Sequence, residues 1–141
     1  MKFVFFSKWR VEPRCIAAHI TIIILFAACQ ETPYREGARL YQANCANCHM
    51  DDGVGLGALI PPVANADYLK TQRDRLPCIL KYGLKDSIRV NGQYYSEEMP
   101  GVPTLSAIQI TNILNYINQN LGNNQPVFQL QEVRNLLENC E

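Results

Sequence analysis

The sequence predicts an all-α domain that carries one small β-hairpin, and two observations support this fold class. Apolar residues recur at positions 110, 113, 114, 117 and 121, which is the spacing of a single helical face, and Gly122 ends that stripe. Asn91-Gly92 stands at the centre of segment 88–95, and this dipeptide favours the type I′ turn of a two-residue hairpin. We therefore expect helices to build the core and the hairpin to be a minor addition.

Two further helices have recognisable ends. The first is predicted from Pro33 to Asn44, with Thr32 as its N-cap and the proline at its first position. The second is predicted to be capped by Asp74 and to run to Tyr82, where the following glycine ends it.

The last long helix is predicted to begin after Ser106. Gln109 completes a capping box with this serine, and Leu105 and Ile110 fit a hydrophobic staple.

Gly37 interrupts the first helix at a cost of roughly 1 kcal/mol relative to alanine, so we expect a close helix crossing there.

Residues 1–28 are predicted to be a secretory signal peptide rather than part of the fold. A basic start precedes the apolar stretch 16–28, which is shorter than the roughly 17–25 residues of a membrane-spanning helix. Small residues come directly before Cys29, which resembles the bacterial lipoprotein signal, in which this cysteine is lipidated. Simple cleavage nearby and an uncleaved anchor are the alternatives. In each case we expect export to an oxidising compartment.

The rest of the chain divides into three predicted parts. Residues 29–32 form a short tether, residues 33–122 form the domain, and residues 123–141 form an extension packed on it. Acidic residues outnumber basic ones outside the leader, which argues against a nucleic acid partner. A domain of this length also excludes a two-lobed, multi-substrate enzyme.

The motif that carries chemistry is Cys45-Ala46-Asn47-Cys48-His49, which matches the C-x-x-C-H pattern of covalent c-type haem attachment. Its two thiols can add to the vinyl groups on one porphyrin edge, and His49 then supplies the proximal iron ligand. A dithiol redox pair is one alternative, although it would be expected at the start of a helix in a βαβ pattern. A zinc site that combines both motif cysteines with Cys78 and Cys140 is another, but it leaves His49 unexplained.

Met99 is the candidate for the sixth iron ligand, by exclusion. His19 lies in the leader, so no second histidine remains for the mature chain. Met50 adjoins His49 and cannot reach the opposite face of a porphyrin. Met99 precedes Pro100, which favours an extended backbone, and a thioether ligand would raise the reduction potential.

The sequence contains two other features that bear on function. The run Gly53 to Ala58 matches the dinucleotide pattern G-x-G-x-x-G/A, but it lacks a preceding strand and leads into Pro61-Pro62, so we reject a nucleotide site.

Cys78 and Cys140 remain as an even pair, for which a disulfide is the default in an oxidising compartment, with two free thiols as the alternative.

Together these features resemble a class I (mono-haem, His/Met) cytochrome c of the bacterial, lipoprotein-anchored type, from about Pro33 to Gly122. Gly37 and Tyr41 show the glycine–aromatic spacing of that family's N-terminal helix. Tyr116, with Ile113, falls where the C-terminal helix packs across the glycine.

The resemblance implies three to five helices around one covalently bound haem c, with a small hairpin before the methionine loop. It also implies that the Pro61 carbonyl accepts a hydrogen bond from the His49 ring, with Pro62 as the close competitor. The candidate pocket residues are Leu56, Ile60, Val63, Leu69, Ile79, Leu80, Tyr94 and Tyr95.

The implied function is one-electron transfer by Fe(III)/Fe(II) cycling in a membrane-tethered respiratory chain at the periplasmic face of a bacterial membrane. The chain would not be an enzyme, and its partners would be redox proteins such as a membrane oxidase, reductase or dehydrogenase. The acidic pairs Asp51-Asp52 and Glu97-Glu98 could steer a basic partner, although a solvated surface is the simpler interpretation. The alternatives are a haem subunit of a larger redox complex, or a haem sensor or peroxidase-like protein if Met99 does not bind iron.

Overall fold

The computed structural model describes residues 34–140, which lie in one compact unit. The predicted leader, the Cys29 lipidation site, the tether and the Thr32 cap lie outside the described residues. In chain order the helices are α1 (Arg35–Asn44), α2 (Ala46–His49), α3 (Asp67–Thr71), a 3-10 turn (Arg73–Arg75), α4 (Leu76–Tyr82), α5 (Ala107–Asn120) and α6 (Leu130–Glu138). The strands are β1 (Gly83–Leu84), β2 (Ile88–Val90), β3 (Gln93–Tyr95) and β4 (Met99–Pro100).

The predicted fold class, all-α with a small hairpin, is confirmed. Six α-helical segments are described where three to five helices were expected, because α2 and α3 are short segments of 4 and 5 residues. No helix among residues 34–140 is both long enough and apolar enough to cross a bilayer.

The crossing of α1 and α5 explains the glycine in α1. A Cβ added at Gly37 would clash with the backbone oxygen of Asn112 and lie 2.8 Å from Cβ of Tyr116. The ring of Tyr41, which is fully buried, lies 5.4 Å from the ring of Tyr116. The expected packing of the C-terminal helix across Gly37 is therefore confirmed.

Two predicted helix starts need correction. Helix α1 begins at Arg35 after Tyr34, without a side-chain cap among the described residues. Asp74 does not cap the second helix: it lies inside the 3-10 turn, and Arg75 is the residue that precedes α4. The 3-10 turn brings the chain into α4 with backbone bonds of its own, so a side-chain cap is not needed.

The start of α5 follows the prediction. The Ser106 hydroxyl accepts a hydrogen bond from the backbone of Gln109, and the Gln109 side chain accepts one from the backbone of Ser106, so the capping box is confirmed. Gly122 follows the helix with a φ of 77°, which a glycine adopts without strain.

The sequence predicts one of the two strand pairs but not the other. Strands β2 and β3 pair antiparallel around Asn91 and Gly92, whose φ angles of 49° and 85° confirm the predicted turn. Strands β1 and β4 also pair antiparallel, with Leu84 opposite Met99, and this contact was not predicted.

The extension after Gly122 packs against α4 and α5. Phe128 and Val133 are buried, and Cys78 in α4 forms a disulfide with Cys140, with Cα atoms 5.6 Å apart. Arg73 forms an ion pair of 2.9 Å with Glu132 and places its guanidinium 3.6 Å from the centre of the Phe128 ring.

Candidate haem site

The domain contains a partly open cavity whose walls are almost entirely apolar. We call it the inner cavity. Helices α4 and α5 form much of its wall through Leu76, Ile79, Leu80, Leu114 and Ile117. Both predicted iron ligands, His49 and Met99, line this space together with Cys45.

The C-x-x-C-H motif spans the junction of α1 and α2. Because α2 is a single helical turn, the backbone of His49 bonds to the carbonyl of Cys45 at 2.9 Å. Cys45 is half-buried and Cys48 is exposed. Burial raises the pKa of the Cys45 thiol to about 11, and the neighbouring Cys48 adds to the effect, so this thiol is protonated at neutral pH.

The His49 ring is buried and is held by one hydrogen bond. Its Nδ1 lies 3.0 Å from the carbonyl oxygen of Pro61, so the ring donates from Nδ1 and leaves Nε2 for another partner. Pro62, the competitor in the sequence, does not take this role. Burial lowers the pKa of His49, against a smaller opposing effect of the bond to Pro61. The shift favours the neutral form of the ring, which is the form that binds a metal ion.

The glycine-rich loop 53–60 brings Pro61 to the histidine. Backbone bonds join Gly55 to the carbonyl of His49 at 3.1 Å and Val63 to the carbonyl of Gly53 at 2.8 Å. A Cβ at Gly55 would lie 2.6 Å from the Pro61 oxygen, and the φ of Gly55 is 74°. Only a glycine allows the loop to close this tightly.

Met99 is held by its backbone rather than by its side chain. It pairs with Leu84 across β1 and β4, and the next turn is fixed by a bond of 2.9 Å from Val102 to the carbonyl of Leu80. The Lys81 ammonium group donates to the carbonyl of Leu105 at 2.6 Å. Gly101 lies so close to α4 that an added Cβ would approach the oxygen of Lys81 to 2.7 Å.

A second, partly open space adjoins the motif, and we call it the outer cavity. Cys45, His49 and Met99 line it as they line the inner cavity, whereas Cys48 borders only the outer one. Three carboxylates also surround it, those of Asp86, Glu97 and Glu98.

These residues fit a covalently bound haem: an imidazole, a thioether and the Cys45 thiol line an apolar space, and the Cys48 thiol borders the adjoining one. Comparison with known proteins decides the family, because residues 34–120 match the cytochrome c family model. The chain belongs to the cytochrome c family. As a member of that family, it is an electron-transfer protein that carries haem c.

Curated relatives agree with the family assignment. The cytochrome is 34% identical over 110 residues to cytochrome c-552 of Thermus thermophilus, which covers 72% of this chain and 83% of that protein. It is also 32% identical over 94 residues to the cytochrome c subunit of alcohol dehydrogenase (quinone) of Gluconobacter oxydans. That match covers 64% of this chain but only 19% of the larger subunit.

Two of the residues predicted to line the pocket of this cytochrome do not line either cavity. Tyr94 is 74% exposed because neighbouring residues of β3 point to opposite sides, and Tyr95 is the one that faces inward. Leu56 is 50% exposed and borders neither cavity, because its loop turns the side chain outward while its backbone bonds to Ile60. Ile60 and Tyr95 line the outer cavity, whereas Val63, Leu69, Ile79 and Leu80 line the inner one.

The alternative metal site is not assembled in the cytochrome. Among residues 34–140, no group of three or more histidine, cysteine, aspartate or glutamate side chains is close enough to hold a metal ion. Cys78 is paired with Cys140, away from the motif cysteines. The zinc hypothesis therefore loses two of its four ligands.

Sequence reasoning missed several residues of the inner cavity, among them Tyr68 and Leu84. Leu84 lies in a two-residue strand with no periodic pattern. Tyr68 lies in α3, a helix of 5 residues without a predicted cap. No signal in the sequence marks either residue as part of a pocket.

Proposed function

We propose that this cytochrome c is a one-electron carrier in which His49 and Met99 are the two axial ligands of haem c. Thioether bonds from Cys45 and Cys48 would attach the haem, and Pro61 would orient the proximal imidazole. The observation that carries the proposal is that His49 and Met99 line the same apolar cavity beside the motif cysteines.

When bound, haem c supplies an iron that takes up and releases one electron between the Fe(III) and Fe(II) states. The residues of the chain then determine what else the site can do. With an imidazole and a thioether both bound, no coordination position is left for a substrate. The neutral, soft sulfur of Met99 and the apolar wall from α4 and α5 favour the ferrous state, which raises the potential.

The proposal is tested with Met99→Leu, and Met50→Leu serves as the matched control. Met50 is the neighbour of His49, and its backbone rather than its side chain accepts the bond from Tyr41 at 2.7 Å. We expect Met99→Leu to lose the ferric absorption band specific to sulfur ligation, to lower the potential and to bind cyanide and carbon monoxide. Met50→Leu should retain the band. Retention of the band in Met99→Leu would place the sulfur ligand elsewhere, whereas absence of the band in the wild-type protein would favour a sensor or peroxidase-like role.

The exported, membrane-tethered location is also part of the proposal. The basic start, the short apolar stretch and the small residues before Cys29 support secretion and lipid attachment at that cysteine. An oxidising compartment would in turn support the Cys78–Cys140 disulfide. Mass spectrometry of the mature protein tests this point: a chain that begins at an acylated Cys29 supports it, and a retained leader contradicts it.

A second candidate role is that of a haem subunit in a larger redox complex. The match to the cytochrome c subunit of a quinone-dependent alcohol dehydrogenase favours it, since the same domain type is used there within a longer chain. Native mass measurement on gently solubilised membranes separates the two roles. A stable complex with a dehydrogenase or oxidase supports the subunit, and a free monomer that exchanges electrons with both supports the carrier.

A further inference from the structure

The inner cavity contains one polar atom that the protein leaves without a partner. The hydroxyl oxygen of Tyr68 is buried, and among residues 34–140 it has no hydrogen-bond partner. A buried hydroxyl without a partner costs roughly 1–3 kcal/mol, so native structures rarely keep one.

A second tyrosine in the same cavity shows the contrast. The hydroxyl of Tyr41 donates to the backbone oxygen of Met50 at 2.7 Å and is therefore satisfied by the protein. The other polar group in this wall, the His49 ring, has its Nδ1 bonded to Pro61. Tyr68 is thus the side chain whose donor remains available to a bound group.

The haem periphery offers one strong class of acceptor, its two propionate carboxylates. These lie on the side of the porphyrin away from the vinyl edge, and the vinyl edge is fixed by the motif cysteines. Cys48 borders the outer cavity only, and Tyr68 borders the inner cavity only. Cys45 borders both cavities, so the attachment at Cys48 sets the direction: it places the vinyl edge on the outer side and the carboxylate edge toward the part of the inner cavity that holds Tyr68.

Electrostatics support the same orientation. The outer cavity is bordered by Asp86, Glu97 and Glu98, which would repel haem carboxylates. Among residues 34–140, no carboxylate side chain lines the inner cavity.

We propose that the Tyr68 hydroxyl donates a hydrogen bond to a propionate carboxylate of the bound haem. A bond between a hydroxyl and an ionised carboxylate is about twice as strong as one between neutral groups. The thioether sulfur of Met99, which lines the same cavity, is only a weak acceptor. Tyr68 would thus compensate for the burial of a negative charge and fix the haem at the end opposite its covalent attachment.

The test compares the holoprotein variants Tyr68→Phe and Tyr94→Phe. Both remove only a hydroxyl, and Tyr94 is an exposed residue outside both cavities. In Tyr68→Phe we expect a shift of the propionate bending mode in resonance Raman spectra and a fall of roughly tenfold or more in the equilibrium constant for folding. Neither change should appear in Tyr94→Phe.

The outcomes distinguish this inference from the haem proposal on which it rests. A pyridine haemochrome assay first measures the haem content of each variant, and a colourless wild-type protein would contradict the haem itself. With haem present, an unchanged propionate mode in Tyr68→Phe would overturn the role of Tyr68. Loss of the sulfur-ligation band with an unchanged propionate mode would also overturn it, because the hydroxyl would then bond to Met99.

Discussion

The two proposed axial ligands are held in different ways. His49 is positioned through its own side chain, because its ring bonds to Pro61. The neighbouring motif cysteines would attach to the haem. Met99 is positioned through its backbone, which pairs with Leu84, and its loop is joined to α4 by Lys81. The difference teaches that the proximal ligand depends on a contiguous stretch of sequence, whereas the distal ligand depends on a helix that lies nearly twenty residues earlier in the chain.

Removal of the proximal ligand should have the largest effect. In His49→Ala, the motif cysteines remain, but the imidazole that Pro61 orients is lost as an iron ligand. We expect the haem content per chain, measured by pyridine haemochrome, to fall to a small fraction of that of the wild type. Met99→Ala is the control and should keep its haem, because the covalent attachment and the proximal ligand are unchanged. Equal loss in both variants would contradict the proposed asymmetry.

The disulfide tests whether the support of Met99 extends to the C-terminal extension. Cys78 lies in α4, the same helix that supports the methionine loop. The double variant Cys78→Ser/Cys140→Ser should lower the free energy of unfolding by about 2–4 kcal/mol, measured by denaturant titration.

The contrast between the two ligands provides a second measurement for the double variant, the rate of cyanide binding. Cyanide should bind to the ferric haem of this variant faster than to that of the wild type, because α4 supports Met99 and loses its link to the extension. The haem content should stay the same. A slower or unchanged rate of cyanide binding would show that the extension stabilises the fold without supporting the distal ligand.

Sequence patterns predicted the proximal side better than the distal side for a physical reason. The C-x-x-C-H motif, the turn at Asn91 and the capping box at Ser106 each act within a few residues, so their spacing can be read directly. The pairing of β1 with β4 joins two-residue strands, and its partners Leu84 and Met99 are 15 residues apart. Strands this short have no periodicity from which the pairing could be predicted.

The incorrect prediction of Tyr94 as a pocket residue has a similar cause. Tyr94 and Tyr95 are identical neighbours, and a shift of strand register by one residue exchanges which of them is buried. The orphaned hydroxyl of Tyr68 and the stacking of Arg73 on Phe128 depend on tertiary contacts that composition and spacing do not contain.

A substitution at Gly101 should act on the distal ligand alone. An added Cβ would come within 2.5 Å of the backbone nitrogen of Gly83, so either the methionine loop or α4 must move. We expect Gly101→Ala to cost about 1–3 kcal/mol of unfolding free energy and to weaken the sulfur-ligation band.

Gly57→Ala is the control for this effect. Its Cβ would meet nothing within 4 Å, and the cost of about 1 kcal/mol comes only from a φ of 53°. The band should be unchanged in this variant. A weakened band in both variants would indicate general destabilisation instead of a displaced methionine.

The smallest expected effect concerns two lysines near the methionine loop. Lys81 donates to the carbonyl of Leu105 at 2.6 Å in a partly buried position, whereas Lys85 is 83% exposed and lies 3.7 Å from Glu98. Lys81→Met should therefore cost about 1 kcal/mol and raise the rate of cyanide binding several-fold, because the end of the loop loses its anchor to α4. Lys85→Met should change neither quantity measurably, since an exposed ion pair is screened by solvent. If Lys85→Met instead accelerated cyanide binding as much as Lys81→Met, surface charge rather than the backbone anchor would control access to the iron.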